Sequence, residues 1–92
     1  MEFQKEKGRI FHEDENGKTL AEITYSPGEE GVVVADGTYV DPSLRGQGVA
    51  EQLVEAMVEE VKSQGKKIQP ECSYVVALFK RKPEKYGEIE AK

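Results

Sequence analysis

The chain is organised around one central stretch, Tyr39-Val40-Asp41-Pro42-Ser43-Leu44-Arg45-Gly46-Gln47-Gly48-Val49-Ala50. A β-type run ends at Asp41-Pro42, a turn with two glycines follows, and an amphipathic helix begins at about Gln47. Free backbone N–H groups at a helix start converge on one point, where the helix dipole favours negative charge. Gly46 and Gly48 place no side chain in front of the backbone, and Arg45 can add a charged contact. The stretch therefore predicts an anion site.

Three known phosphate-binding motifs contain a glycine turn of this kind. A P-loop is excluded because no Lys-Ser or Lys-Thr follows the glycines. The dinucleotide fingerprint Gly-x-Gly-x-x-Gly begins correctly but has Glu51 in its third glycine position, where a carboxylate suits a pyrophosphate poorly. Residues Arg45–Ala50 resemble the Gln/Arg-x-x-Gly-x-Gly/Ala signature of the GCN5-related N-acetyltransferases (GNAT), in which the turn holds the pyrophosphate of acetyl-coenzyme A (acetyl-CoA). A plain helix start with two glycines is the alternative interpretation.

Composition limits the class of protein. The 92 residues, 37% apolar and 34% charged, predict one small domain, residues 1–92, with a modest core. A net charge of −5 without a basic block argues against nucleic acid as a partner. We expect a cytoplasmic monomer, because no apolar run suggests a membrane span or secretion signal and the single Cys72 cannot form an internal disulfide. One histidine and one cysteine are too few soft ligands for a metal site.

Apolar patterning predicts three strands before the turn. Residues 3–13 and 18–26 form a hairpin, joined by a turn that contains the hairpin signal Asn16-Gly17. Residues 32–40 form a third strand, in which Gly37 marks a bulge or a close approach by a ligand. The predicted inner face of the second strand carries Ala21, Ile23 and Tyr25.

The second half of the chain alternates helix, strand and helix. A helix over 47–64 has one apolar stripe at spacings of three and four, formed by Ala50, Leu53, Val54, Met57, Val58 and Val61. A short strand over 66–72 contains Pro70, which cannot donate to a ladder, and a second helix over 74–82 follows. Residues 87–92 are expected to be frayed.

This order predicts an α/β fold with a mixed sheet: a three-stranded antiparallel meander, a long helix, a parallel fourth strand and a short C-terminal helix. A right-handed βαβ unit makes the fourth strand parallel to the third. The helix start then lies at the C-terminal end of the third strand, where ligands of α/β proteins usually bind. Pro70 is expected to hold the two parallel strands apart there, and an extended acyl-pantetheine requires such a gap.

Two further motifs extend the resemblance over nearly the whole chain. Gly37–Pro42 is similar to a His-Thr-x-Val-x-Pro run, and Pro70–Tyr74 is similar to a Pro-x-Cys-x-Tyr/Phe run, both typical of the very short YjdJ-like subgroup of the GNAT superfamily. The chain is therefore identified as a member, which implies a minimal acyl-CoA N-acyltransferase fold. Gly37 departs from the pattern, because this subgroup often has histidine there. Longer relatives also carry a helical region that shapes the acceptor pocket, so we expect an acceptor site that is open or completed by a partner.

The resemblance implies transfer of an acetyl group from acetyl-CoA to an unidentified amine, in a small molecule or a protein. The backbone N–H groups of Tyr39 and Val40 are expected to polarise the thioester carbonyl. Lys80 and Arg81 either reach other phosphates of the cofactor or form a solvated helix face. The pyrophosphate is expected at Arg45, Gly46, Gln47, Gly48, Val49 and Ala50.

Cys72 and Tyr74 are the candidate catalytic residues, each with a structural alternative. Cys72 either accepts the acetyl group as a thiolate or is a small buried side chain. Tyr74 either protonates the leaving thiolate or packs against the pantetheine. His12 is interpreted as a surface or edge residue, and Glu71 is expected to point away from Cys72.

Two function classes remain open from the sequence. The first is an acetyl-CoA-dependent N-acetyltransferase assisted by Cys72. The second is a non-catalytic coenzyme A (CoA) or acyl-CoA-binding module, favoured by Gly37 and by the missing acceptor region. The glycine turn and Cys72 suit both classes.

Overall fold

The computed structural model describes residues 1–91 and forms a mixed α/β fold, which confirms the predicted class. One five-stranded sheet has the order β1-β2-β3-β4-β5, with β1 to β4 antiparallel and β4 paired in parallel with β5. Three helices and a 3-10 turn, Pro42–Leu44, complete the described chain. The elements are β1 Gln4–Glu6, β2 Arg9–Glu13, β3 Thr19–Pro27, β4 Val32–Val40, α1 Val49–Ser63, β5 Lys67–Pro70, α2 Ser73–Arg81 and α3 Pro83–Tyr86.

The first predicted strand is wrong in one respect, because residues 3–13 are split into β1 and β2 by a tight turn. Gly8 lies in this turn with φ of 76°. A Cβ atom built on Gly8 would lie 2.7 Å from the carbonyl oxygen of Tyr25, so the turn requires glycine. The antiparallel part of the sheet therefore has four strands, where the sequence predicted three.

The C-terminal prediction is also wrong for residues 87–91, while residue 92 lies outside the described residues. Pro83 begins α3, and the chain then returns along the outer edge of β5. The Ile68 N–H donates to the Ile89 carbonyl at 2.7 Å, and the Ala91 N–H donates to the Ile68 carbonyl at 2.7 Å. Ile89 is buried in the core, and this burial with the two hydrogen bonds holds the segment in place.

The hydrophobic core lies between α1 and one face of the sheet. The four helix residues Leu53, Val54, Met57 and Val61 are fully buried, as the apolar stripe predicted. Ala21 and Ile23 are fully buried beneath them, whereas Tyr25 is only half-buried. No helix among residues 1–91 is both long and apolar enough to cross a bilayer.

A β-bulge interrupts the pairing of β3 with β4. Thr24 is opposite Gly37 and Tyr25 is opposite Ala35, so Asp36 is the extra residue. Its carboxylate accepts hydrogen bonds from the Thr24 hydroxyl at 2.7 Å and the Ser26 hydroxyl at 3.0 Å. The sequence predicted a bulge or a close approach by a ligand at Gly37. The bulge is present one residue earlier, at Asp36.

Candidate functional site

The turn after β4 is shaped by Asp41 and by two glycines. Asp41 Oδ2 accepts hydrogen bonds from the Ser43 N–H at 3.0 Å and the Ser43 hydroxyl at 2.6 Å, which starts the 3-10 turn. Gly46 and Gly48 have φ of 82° and 74°, in the left-handed region that other residues rarely adopt. Gly48 is the N-cap of α1. The sequence thus specifies the turn locally.

Asp41 keeps its charge because of the same contacts. The Ser43 hydroxyl and the Ser43 backbone N–H lower the pKa of Asp41 to about 2, against the opposing effect of burial. The Lys18 ammonium, 3.5 Å from Oδ1, acts in the same direction. The capping carboxylate is therefore ionised near neutral pH.

The backbone of the turn offers free donors. Within residues 1–91, no protein group accepts a hydrogen bond from the N–H groups of 46–50. Such groups at the start of a helix form a preorganised anion site. They surround a cavity of ≈ 140 Å³ lined by Val40, Leu44, Arg45, Gly46, Gly48, Val49 and Ala50.

Arg45 lines this cavity, and Gln47 is close to it along the turn. Arg45 is exposed, and its Nε donates to the Val40 carbonyl at 3.4 Å. Gln47 Nε2 donates to the Ser43 carbonyl at 3.4 Å. Within residues 1–91 the Arg45 side chain donates only through Nε, so its terminal N–H groups remain available to an anion.

A gap opens between β4 and β5 next to the turn. Parallel pairing ends at Ala35 opposite Pro70, and both Glu71 and Cys72 donate their N–H groups to the Ala35 carbonyl, at 3.0 and 2.9 Å. The chain then leaves the sheet, while β4 continues to Val40. The predicted gap is present, but it begins just after Pro70 and not at that residue.

The backbone groups that face this gap belong to Thr38 and Val40. Hydrogen-bonding groups alternate between the two sides of a strand, and the Asp41 N–H faces β3, where it donates to the Leu20 carbonyl at 2.7 Å. The Tyr39 N–H, two residues earlier, therefore also faces β3 and cannot polarise a carbonyl in the gap. The Tyr39 ring is 45% exposed, and its hydroxyl donates to Asp41 Oδ1 at 3.3 Å. The N–H group of Thr38, a residue for which the sequence predicted no role, faces the gap instead.

Cys72 lies across the gap from Thr38. It is half-buried at the N-cap of α2, and its Sγ is 3.2 Å from Thr38 Oγ1. Burial raises the pKa of the Cys72 thiol, but the Thr38 hydroxyl and the N–H groups of Val75, Tyr74 and Thr38 outweigh it, so the net pKa is lowered. The thiol therefore has more thiolate character than an ordinary cysteine.

Tyr74 follows Cys72 by two residues in the first turn of α2, whereas the basic residues Lys80 and Arg81 lie at the other end of that helix. Tyr74 is half-buried; burial and the negative charge of Glu51 raise the pKa of its hydroxyl, while Arg81 opposes the shift. Tyr74 is therefore protonated near neutral pH. Lys80 and Arg81 are exposed in the last turn of α2, so both of their predicted alternatives stay open.

Glu51 forms a cluster that the sequence analysis missed. Its carboxylate, in the first turn of α1, accepts from Lys82 Nζ at 3.0 Å, Tyr86 Oη at 2.9 Å and Lys85 Nζ at 3.2 Å. The Lys82 hydrogen bond, with smaller contributions from Tyr86 and Lys85, lowers the pKa of Glu51 to about 2 despite burial. The cluster fastens α2 and α3 to the start of α1. Glutamate early in a helix was a weak signal without knowledge of these partners.

His12 lies nearer to the turn than its position in the first predicted strand suggested. It is opposite Ala21 on β3, and Ala21 is opposite Val40 on β4. Two strand spacings, about 10 Å, therefore separate the backbones of His12 and Val40. His12 is half-buried, so it is neither a fully exposed residue nor part of the gap.

The architecture and the site define a fold of the acyltransferase type, in which a backbone anion site adjoins a gap between parallel strands. This chain belongs to the GCN5-related N-acetyl-transferases, since the model of that family matches residues 9–89. The YjdJ-like subgroup stays a prediction.

Solved structures agree with this assignment. The NMR structure of a GCN5-like protein from Staphylococcus aureus is 29% identical, with a TM-score of 0.81 over 98% of this chain and 87% of that one. The N-acetyltransferase YhbS from Escherichia coli, solved in complex with CoA, is 24% identical, with a TM-score of 0.60 over 67% of this chain and 38% of that one. Tetrahymena GCN5 is 10% identical and shares the fold, with a TM-score of 0.64 over 79% of this chain and 48% of that one. This chain spans less than half the length of the last two. No curated protein matches it.

Proposed function

We propose that this protein is an acetyl-CoA-dependent N-acetyltransferase that transfers an acetyl group to an amine, assisted by Cys72. The observation that carries the proposal is the adjacency of two features: free N–H groups at 46–50, and a gap whose far wall holds Cys72. Family membership supports acetyl-CoA as the acyl donor. Residues 1–92 would act as one domain on an amine of a small molecule or a protein.

The residues of the turn fit the cofactor's pyrophosphate. A diphosphate needs several convergent donors and close backbone approach, and both glycines leave open space where a Cβ atom would stand. The Arg45 guanidinium adds a charged donor at the rim. Lys80 and Arg81 are proposed as further phosphate contacts, because both are exposed on α2.

The gap between β4 and β5 fits the thioester end of acetyl-CoA. The Thr38 and Val40 N–H groups would donate to the thioester carbonyl and stabilise the charge that develops on its oxygen. Tyr74, protonated near neutral pH, would donate its proton to the leaving thiolate. The cofactor supplies an activated acetyl group, and the chain supplies orientation, carbonyl polarisation and this proton.

Cys72 would accept the acetyl group from acetyl-CoA and pass it to the amine. Its thiolate attacks the acetyl carbonyl carbon, a bond from this carbon to Sγ forms, and the bond to the CoA sulfur breaks as Tyr74 protonates that sulfur. The amine then attacks the acetyl-cysteine, Sγ leaves as a thiolate, and the Tyr74 phenolate takes the proton that the amine loses. The lowered pKa of the Cys72 thiol supports this role.

Mass spectrometry of the intact protein mixed with acetyl-CoA tests the proposal, with and without candidate amines. We expect one added acetyl group that hydroxylamine removes, and its loss in Cys72→Ala. Because Cys72 is the single cysteine, a hydroxylamine-sensitive acetyl group identifies the site. An unmodified wild type together with full transfer by Cys72→Ala would show that transfer is direct and Cys72 structural.

A non-catalytic acyl-CoA-binding module is the second candidate, and position 37 favours it. Gly37 offers no side chain, and the neighbouring Asp36 carboxylate is already engaged by the Thr24 and Ser26 hydroxyls. Binding of acetyl-CoA without transfer to any amine and without modification of Cys72 would support this candidate.

A further inference from the structure

We infer that Thr38 limits the acyl group of the donor to about the size of acetyl. This inference rests on the proposed function, because it places the thioester in the gap between β4 and β5. It adds a residue that determines which acyl chain lengths the site accepts.

Thr38 and Cys72 together close the inner end of the gap. The gap begins after Ala35 and Pro70, the last parallel pair. Just beyond that pair, Thr38 Oγ1 and Cys72 Sγ are 3.2 Å apart, so the two side chains bridge the space between the strands. An acyl group whose carbonyl accepts the Thr38 N–H has its alkyl carbon directed at this bridge or back along the pantetheine.

The bridge has little freedom to move. Threonine is β-branched and stiff at χ1, and its hydroxyl is engaged by Cys72. Ile23, directly opposite Thr38 on β3, is fully buried, as is Val75 in the first turn of α2. Close-packed interiors resist added methylene groups, so the core behind the bridge cannot accept a longer chain without strain.

The cavity at the turn does not include the bridge. The cavity at the turn is lined by Val40 but not by Thr38 or Cys72. This cavity therefore offers room for the phosphates, and the room for the acyl group depends on the space next to the bridge. Removing the hydroxyl and methyl of Thr38 is the smallest change that opens the inner end.

Calorimetric titration with free CoA, acetyl-CoA and butyryl-CoA tests the inference without an acceptor. Discrimination by an apolar pocket is roughly 10–200-fold per methylene, so the wild type should bind acetyl-CoA at least about tenfold more tightly than butyryl-CoA. Thr38→Ala should bring this ratio close to one. Thr38→Val, which keeps the volume and removes the hydroxyl, is the matched control and should keep the discrimination.

The possible failures can be told apart. Equal wild-type affinity for acetyl-CoA and butyryl-CoA, or a ratio unchanged in a Thr38→Ala variant that still binds free CoA, would overturn the role of Thr38 alone. A wild type that binds none of the three ligands would overturn the proposed function and this inference with it. If Thr38→Ala does not fold, Thr38→Ser removes only the methyl and should lower the ratio by a smaller factor.

Discussion

The turn after β4 and the gap beside it are made in different ways. The turn is mainly local: Asp41, Gly46 and Gly48 lie within one short stretch, and the side-chain hydrogen bonds that start it join Asp41 to Ser43. The gap is assembled at long range, because Thr38 and Cys72 meet only after β4, α1 and β5 have formed. Local chemistry therefore sets the anion site, whereas tertiary packing sets the reactive end, and changes to each should have separable effects.

Loss of core packing by α1 should disturb both the turn and the gap, and it should have the largest effect on stability. Leu53 is fully buried, so Leu53→Ala should destabilise the fold by roughly 2–5 kcal/mol. That is a large share of the roughly 5–15 kcal/mol typical of a domain. Glu59→Ala, an exposed change in the same helix, is the control and should stay within about 0.5 kcal/mol. Equal urea midpoints for the two variants would contradict the assigned core.

A break in the turn alone should remove cofactor binding while the fold persists. Gly48→Val places a β-branched residue at φ of 74°, which costs about 1–3 kcal/mol and moves the donors, so acetyl-CoA affinity should fall about 10- to 100-fold. Gly31→Val is the matched control, since Gly31 has φ of 79° just before the start of β4, at the end of that strand opposite to the turn. It should lose similar stability and keep wild-type affinity by calorimetry. If both variants bind alike, the turn is not the binding site.

The turn should also respond to acid. The folded pKa of Asp41 is about 2, below its ordinary value of 3.8, so its contribution to stability is present above about pH 4 and is lost as the pH falls toward 2. Asp41→Asn removes this titration, and its stability should fall less steeply over that range than that of the wild type. Denaturation midpoints measured from pH 5 to pH 2 give both slopes. Parallel curves would show that the Ser43 cap does not stabilise the charged form.

Removing the Thr38 hydroxyl changes the gap alone and should have the smallest effect on the protein. Thr38→Val removes the Thr38–Cys72 contact and leaves the backbone N–H groups in place, so the pKa of the Cys72 thiol should rise. The pH dependence of iodoacetamide alkylation reports this pKa, with slower reaction expected at pH 7. Acetyl-CoA affinity should be unchanged. Unaltered alkylation would mean that the N–H groups, and not Thr38, set the reactivity of the thiol.

The difference between local and long-range structure also explains which features the sequence could predict. The glycine turn, the apolar stripe of α1 and the parallel strand with Pro70 are patterns within single segments, and each was found at its expected place. The Gly8 turn was missed because its requirement for glycine comes from the Tyr25 carbonyl on another strand. Ile89 was missed because its pairing with Ile68 lies beyond any local pattern. The Tyr39 N–H faces β3 and not the gap, because hydrogen-bonding direction depends on register across the sheet, which the sequence does not specify.

The division between turn and gap is open to direct test by amide chemical-shift titration of the ¹⁵N-labelled protein with ADP, pantetheine and CoA in turn. ADP, which carries the diphosphate, should shift the amides of Gly46 to Ala50, and pantetheine should shift those of Thr38, Val40 and Tyr74. CoA should shift both sets and leave the amide of Gly31, at the opposite end of β4, unchanged. If CoA leaves the amides of Gly46 and Gly48 unshifted while other residues respond, the cofactor does not bind at the turn and the account is wrong.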